Sequence, residues 1–161
     1  MNEGDPIPDV TVADVNGPVS LRSLVGGWAV VYFYPKDDTS GCTREAQDFT
    51  ALAAEFEAAG VQVIGLSKDD GASHDRFVAK YDLRVRLLSD EAGVACEAFG
   101  VWVEKSMYGR KYMGVERATF LFDSQGSLVQ AWRKVKVPGH AQAVLAAAKA
   151  GGNLSNGRPL R

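Results

Sequence analysis

The sequence predicts an α/β fold, a mixed sheet flanked by helices, and three observations carry that expectation. WAVVYFY (28–34) is an unbroken apolar run rich in β-forming residues, the mark of a strand buried on both faces. VQVIGLS (61–67) is a second such run. Between them Ala46, Phe49, Leu52, Ala53 and Phe56 recur at helical spacing in one helix that ends at Gly60. Strand, helix and strand over this length make a right-handed crossover with parallel strands.

The other elements follow in chain order. Val10 and Val12 alternate with polar residues, Asn16-Gly17 supplies a tight turn, and Val19 and Leu21 follow, so the segment reads as a small hairpin. A helix is expected across Ala72–Tyr81, with Phe77, Val78 and Tyr81 on one face. VRLLS (85–89) reads as a short strand and Asp90–Phe99 as a short helix. RATFLFD (117–123) and SLVQAWRKV (127–135), joined by Ser124-Gln125-Gly126, form an antiparallel hairpin. Pro138 opens a last helix through Lys149 that carries Val144, Leu145 and Ala148. Residues 1–150 therefore make one domain, and GGNLSNGRPLR (151–161) a flexible tail.

Composition narrows the function. The chain has 161 residues, 46% hydrophobic and 24% charged, which suits a soluble globular domain with a real core. A net charge of −2 gives no electrostatic case for nucleic acid or an anionic membrane. The longest apolar run, Trp28 to Tyr34, is too short to span a bilayer, and MNEGDPIPDV lacks the basic and apolar regions of a signal peptide. Two cysteines, Cys42 and Cys96, do not make a disulfide scaffold, so a reducing, cytosolic setting is expected.

The chemistry concentrates in YPKDDTSGCTRE (34–45). Cys42 follows a buried strand and a Pro/Asp/Gly turn, at the start of an amphipathic helix and at the strand's C-terminal end, where sites in α/β sheets gather. The amides of a first helical turn and the helix dipole favour an anion there, and the thiolate is the nucleophilic form of cysteine. The bland alternative is a small buried residue. Thr39, three residues earlier, shares a face with the sulfur; it also suits a plain N-cap or turn hydroxyl. Pro35 ends the strand because it has no amide to donate. Glu45 fits as a first-turn acid favoured by the dipole, or as a partner for an arginine at the site. Cys96 shares a helical face with Ala92 and Phe99, which suggests burial. His74 and His140 lie in polar segments that read as exposed, without metal-ligand spacing to a cysteine.

YFYPKDDTSGCTREAQDF (32–49) resembles the active-site segment of the peroxiredoxins, within them the bacterioferritin comigratory protein/PrxQ branch. The pattern Pro-x-x-x-Thr-x-x-Cys is matched by Pro35, Thr39 and Cys42, and LLSDEAGVACEAFGVWVEK (87–105) and GVERATFLFD (114–123) are similar to the same branch. The resemblance runs from Asp5 to Lys149. It implies a thioredoxin-like fold and a thiol peroxidase that reduces hydrogen peroxide and organic hydroperoxides through a cysteine sulfenic acid. Cys42 would be the peroxidatic cysteine, Thr39 the hydroxyl beside it, Pro35 its shield and Arg117 the arginine approaching the sulfur. No metal or organic cofactor is implied.

One departure concerns recycling. Many members of the branch carry a resolving cysteine five residues after the peroxidatic one, where this chain has Gln47. Others place it in the helix after the second strand, and 72–81 holds no cysteine. The sulfenic acid is then resolved either by Cys96 after local unfolding or by an outside thiol from thioredoxin, glutaredoxin or a small thiol. A monomer is the expected state, although dimers also occur in the family. The rival reading is a thioredoxin-fold redox sensor or binding protein without efficient turnover. A thiol–disulfide oxidoreductase would want Cys-x-x-Cys, and the first of those positions is Thr39.

Magnitudes show why more than a thiolate is needed. A thiol of pKa about 8.5 is a few per cent ionised at pH 7, so lowering it to about 6 gains roughly thirtyfold. Enzymatic accelerations are ~10⁶ or more, so the site must also stabilise the breaking O–O bond.

Overall fold

A computed structural model describes residues 1–155. Its elements are β1 (Thr11–Asp14), β2 (Gly17–Ser20), β3 (Trp28–Phe33), α1 (Ser40–Ala51), α2 (Ala53–Ala58), β4 (Val61–Ser67), α3 (Gly71–Tyr81), β5 (Arg86–Ser89), α4 (Val94–Ala98), β6 (Trp102–Met107), β7 (Arg110–Val115), β8 (Ala118–Phe122), β9 (Leu128–Trp132) and α5 (His140–Ser155). Among the described residues, seven strands form one sheet in the order β2-β1-β5-β4-β3-β8-β9. β3, β4 and β5 run parallel, as the crossover reading requires, while β8 is antiparallel to β3 and β1 to β5.

Period-two alternation along the central strands splits the core in two. Val31 and Phe33 of β3 join Ile64, Leu66, Phe120 and Phe122 on one face, packed with α4 and with Leu21 and Leu24. Val30, Tyr32 and Tyr34 join Phe49, Phe56, Phe77 and Val144 on the other, covered by the remaining helices. Tyr32 stacks on Phe49 with ring centroids 4.7 Å apart. Gly65 of β4 makes room for that ring, since a Cβ there would lie 2.8 Å from Tyr32 Cζ.

Four elements differ from expectation. The helix expected to run unbroken to Gly60 breaks at Leu52, whose φ −102°, ψ 7° leaves the α basin. The break lets Phe49 and Phe56, both fully buried, pack together at 5.9 Å on one side of the sheet. The helix expected over Asp90–Phe99 is confined to Val94–Ala98, and Ala92 is exposed in the turn before it. The last helix starts at His140 rather than Pro138 and runs to Ser155, into the first residues of the expected tail. The rest of that tail, 156–161, lies outside the described residues. Finally, β6 and β7 form a separate two-stranded sheet that no apolar alternation announces, because it is largely exposed. Among the described residues no helix is long and apolar enough to cross a membrane.

Candidate active site

The loop from β3 to α1 and the first turns of that helix carry Pro35, Thr39, Cys42 and Glu45. The Tyr34 amide still pairs with Leu66 O at 3.1 Å; Pro35 then ends the ladder and lies exposed. Asp38 adopts φ 57°, a left-handed conformation that an aspartate tolerates, and turns the chain into α1. Thr39 is the N-cap residue. Its hydroxyl does not accept from the helix but donates back to Lys36 O at 2.9 Å, so its lone pairs remain available as acceptors. Cys42 is the third residue of α1, among the amides that a first turn leaves without intrahelical partners, and it is 2% exposed.

Arg117 reaches this turn from just before β8. Its Nη2 donates to Cys42 Sγ at 3.4 Å and its Nη1 to Glu45 Oε1 at 2.7 Å. The approach is close: a Cβ on Gly41 would stand 3.2 Å from Nη2. Glu45 is 1% exposed, and its second oxygen, Oε2, has no hydrogen-bond partner among the described residues. Burial pushes the Glu45 carboxyl up to about 7, against the pull of Arg117. The Arg117 carbonyl accepts from the Val135 amide at 3.0 Å, and the adjacent Glu116 is gripped by Arg133 at 2.7 and 3.0 Å and by the Lys134 amide at 2.9 Å. The turn bearing Arg117 is thus fixed on both sides. Lys105 of β6 stands within the field of the same site; desolvation, then the like charge of Arg117, pulls its ammonium below the ordinary lysine range.

Cys96 is not part of this cluster. It packs fully buried among Phe33, Phe99 and Phe120 on the opposite face of the sheet from Cys42. The Asp90 carboxylate accepts the Ala95 and Cys96 amides at 3.0 and 2.8 Å. Burial first, then Asp90, pushes its thiol well above the ordinary range. Gln47, in the place of a nearby resolving cysteine, is exposed on α1.

Both histidines correct the sequence reading, for they are buried. His74 is 3% exposed, with Nδ1 2.7 Å from Asp37 Oδ2 and Nε2 3.0 Å from Leu88 O. His140 is 7% exposed and shares a 2.7 Å hydrogen bond with Thr119 Oγ1; burial, reinforced by Arg117, pushes its pKa down to about 4, so the ring is neutral at pH 7. The partners that bury them lie well away in sequence: Asp37 and Leu88 for His74, Thr119 for His140. Gly41 and Lys105 were also illegible as site residues, because only the approach of Arg117 gives them meaning.

Residues 3–131 match the model of the AhpC/TSA family. Peroxiredoxin Bcp of Xanthomonas campestris pv. campestris is 54% identical over 131 residues, covering 81% of this chain and 82% of that protein. Peroxiredoxin Bcp of Bacillus subtilis is 42% identical over 143 residues, covering 88% and 91%. A solved structure of Xanthomonas campestris Peroxiredoxin Q superposes with a TM-score of 0.84 at 50% identity, over 89% of this chain and 92% of that one. Another, of the Xanthomonas campestris bacterioferritin comigratory protein in a study of its alkyl peroxide reduction activity, does so with 0.86 at 47% identity, over 94% and 99%. The chain belongs to the AhpC/TSA family. Within it, it is a peroxiredoxin of the Bcp/PrxQ kind with the thioredoxin-like fold, and it is a thiol peroxidase.

Proposed function

We propose that Cys42 is the peroxidatic residue, that it reduces hydrogen peroxide and organic hydroperoxides, and that an outside thiol recycles it. The observation that carries the site assignment is the Arg117 Nη2 to Cys42 Sγ contact of 3.4 Å on the first turn of α1. The Cys42 thiolate attacks the terminal peroxide oxygen in line with the O–O bond. That bond breaks, the sulfur gains the OH as a sulfenic acid, and the departing oxygen takes a proton to leave as water or alcohol. The Thr39 hydroxyl, already donating to Lys36 O, accepts from the peroxide. The Cys42 amide and Arg117 donate to the oxygens as charge develops, the setting in which fixed donors act most strongly. Pro35 limits water above the sulfur, and Glu45 positions Arg117 through its 2.7 Å ion pair.

The two faces of the sheet support the outside thiol. A direct disulfide needs Cα atoms within roughly 7 Å, and packed layers stand about 10 Å apart. Cys96 therefore cannot meet Cys42 without disrupting the sheet's cover. A thiol from thioredoxin, glutaredoxin or a small molecule condenses with the sulfenic acid, releasing water and leaving a mixed disulfide that a second thiol reduces. We take the reducing cytosol as the setting and a monomer as the working unit, which size-exclusion chromatography at micromolar concentration checks. Stopped-flow peroxide consumption by the reduced protein tests the site: Cys42→Ser should abolish it with the fold intact. Retained consumption in that variant would refute the assignment.

A further inference from the structure

The β3–α1 loop is tied to α3 far more heavily than a surface loop requires. Asp37, only 7% exposed, accepts from Tyr34 Oη at 2.5 Å, from Ser73 Oγ at 2.8 Å and faces His74 Nδ1 at 2.7 Å. Its own amide donates to Asp69 Oδ2 at 2.9 Å, and Ser67 Oγ holds that same oxygen at 2.6 Å. His74 Nε2 meets the Leu88 carbonyl, which can only accept, so this nitrogen donates to β5. The Asp37 carboxyl lies below the ordinary range: burial works to raise it, and the bonds from His74, Tyr34 and Ser73 outweigh burial. At the other end of α3, Asp38 takes Lys80 Nζ at 2.8 Å and Tyr81 Oη at 2.5 Å, in the left-handed turn that leads into Thr39. Both ends of α3 therefore hold consecutive loop residues a few positions before Cys42.

We propose that α3 clamps the peroxidatic loop, with His74 as its central positioning residue, so that Cys42 is held in its folded site when it meets peroxide. The use of the clamp in catalysis rests on the thiol peroxidase reading above; the clamp itself does not. α3 contains no cysteine and offers Cys42 no disulfide partner. What it offers is rigidity at the turn that aims Thr39 and the α1 amides. A site held folded leaves the sulfenate open to a second peroxide, which passes one oxygen to sulfur, giving a sulfinate, and leaves as water or alcohol. Loosening the clamp should slow the first attack and, by letting the sulfenate swing out, slow the second as well.

Hydrogen exchange of the 38–43 amides in the reduced protein tests this without reference to turnover. The variants are His74→Leu, which removes both ring bonds at similar volume, and the doubly substituted Lys80→Met/Tyr81→Phe, which loosens only the solvent side and so decides the matter alone if the first does not fold. Losing a charge-assisted bond should speed exchange there by about tenfold or more, confined to that segment. Sulfinate formed at excess peroxide should fall in the same variants. Exchange unchanged in the folded variants, or quickened equally throughout the sheet, would overturn the clamp. A wild-type protein that consumes no peroxide would instead defeat the catalytic reading and leave the exchange result standing.

Discussion

Cys42 and Cys96 are both hidden, at 2% and 0% exposure, so access alone does not separate them. Their neighbours do. Around Cys42 stand the amides of a helix N-terminus and a guanidinium at 3.4 Å, all donors to a sulfur anion. Around Cys96 stand aromatic rings and the Asp90 carboxylate, which oppose the anion. On the proposed reading, the same side chain is a nucleophile on one face of the sheet and packing on the other. What sets the difference is where the chain places positive charge, since Arg117 and Glu45 lie 72 positions apart and meet only through the fold.

The comparison breaks most sharply at Arg117. Arg117→Met should slow peroxide reduction by about 10²–10³-fold, as losing one donor to a developing oxyanion does. Alkylation by neutral iodoacetamide should slow much less, because it needs only the thiolate. Parallel loss in both assays would mean that Arg117 acts on thiol ionisation alone.

Thr39→Val keeps the shape and removes the hydroxyl; a loss of about 10²-fold in the second-order rate with hydrogen peroxide is expected, with Thr39→Ser near wild type. If Val and Ser behave alike, the hydroxyl serves only the turn it makes with Lys36.

Glu45 sharpens the comparison through pH. Its carboxyl is raised from 4.5 to about 7, so the folded chain binds this proton more tightly than the unfolded one. That stabilisation is fully present below about pH 4.5 and is lost as pH rises through 7. The stability at stake is about 3 kcal/mol, at ~1.4 kcal/mol per tenfold. Glu45→Gln should flatten urea-denaturation stability across this window. An unchanged slope would show that another group carries it.

The smallest effect belongs to the other face. Cys96→Ala should turn over at the wild-type rate with thioredoxin, glutaredoxin plus glutathione, or dithiothreitol. Loss of turnover with thioredoxin alone would give Cys96 a resolving role.

Much of this was legible in the chain. WAVVYFY and VQVIGLS announce buried parallel strands because they lack polar interruptions, and the Pro/Asp/Gly turn before Cys42 marks a helix start at a strand's C-terminal end. The break at Leu52 was not legible, because Leu52, Ala53 and Phe56 keep helical spacing across it. The β6–β7 hairpin was not, because exposed strands such as RKYMGV carry no burial pattern. His74 escaped because its partners, Asp37 and Leu88, are distant in sequence. Local pattern reports what a segment buries. It does not report which polar groups the fold brings together.

On the proposed reading, Cys42 works alone on its face of the sheet and hands its sulfenic acid to an outside thiol. Intact-mass measurement of the reduced wild-type protein after one equivalent of hydrogen peroxide, with no reductant present, tests it most directly. The expected product is one oxygen heavier, with the oxygen on Cys42 and Cys96 still a free thiol. A product two hydrogens lighter, mapped to a Cys42–Cys96 disulfide, would contradict it.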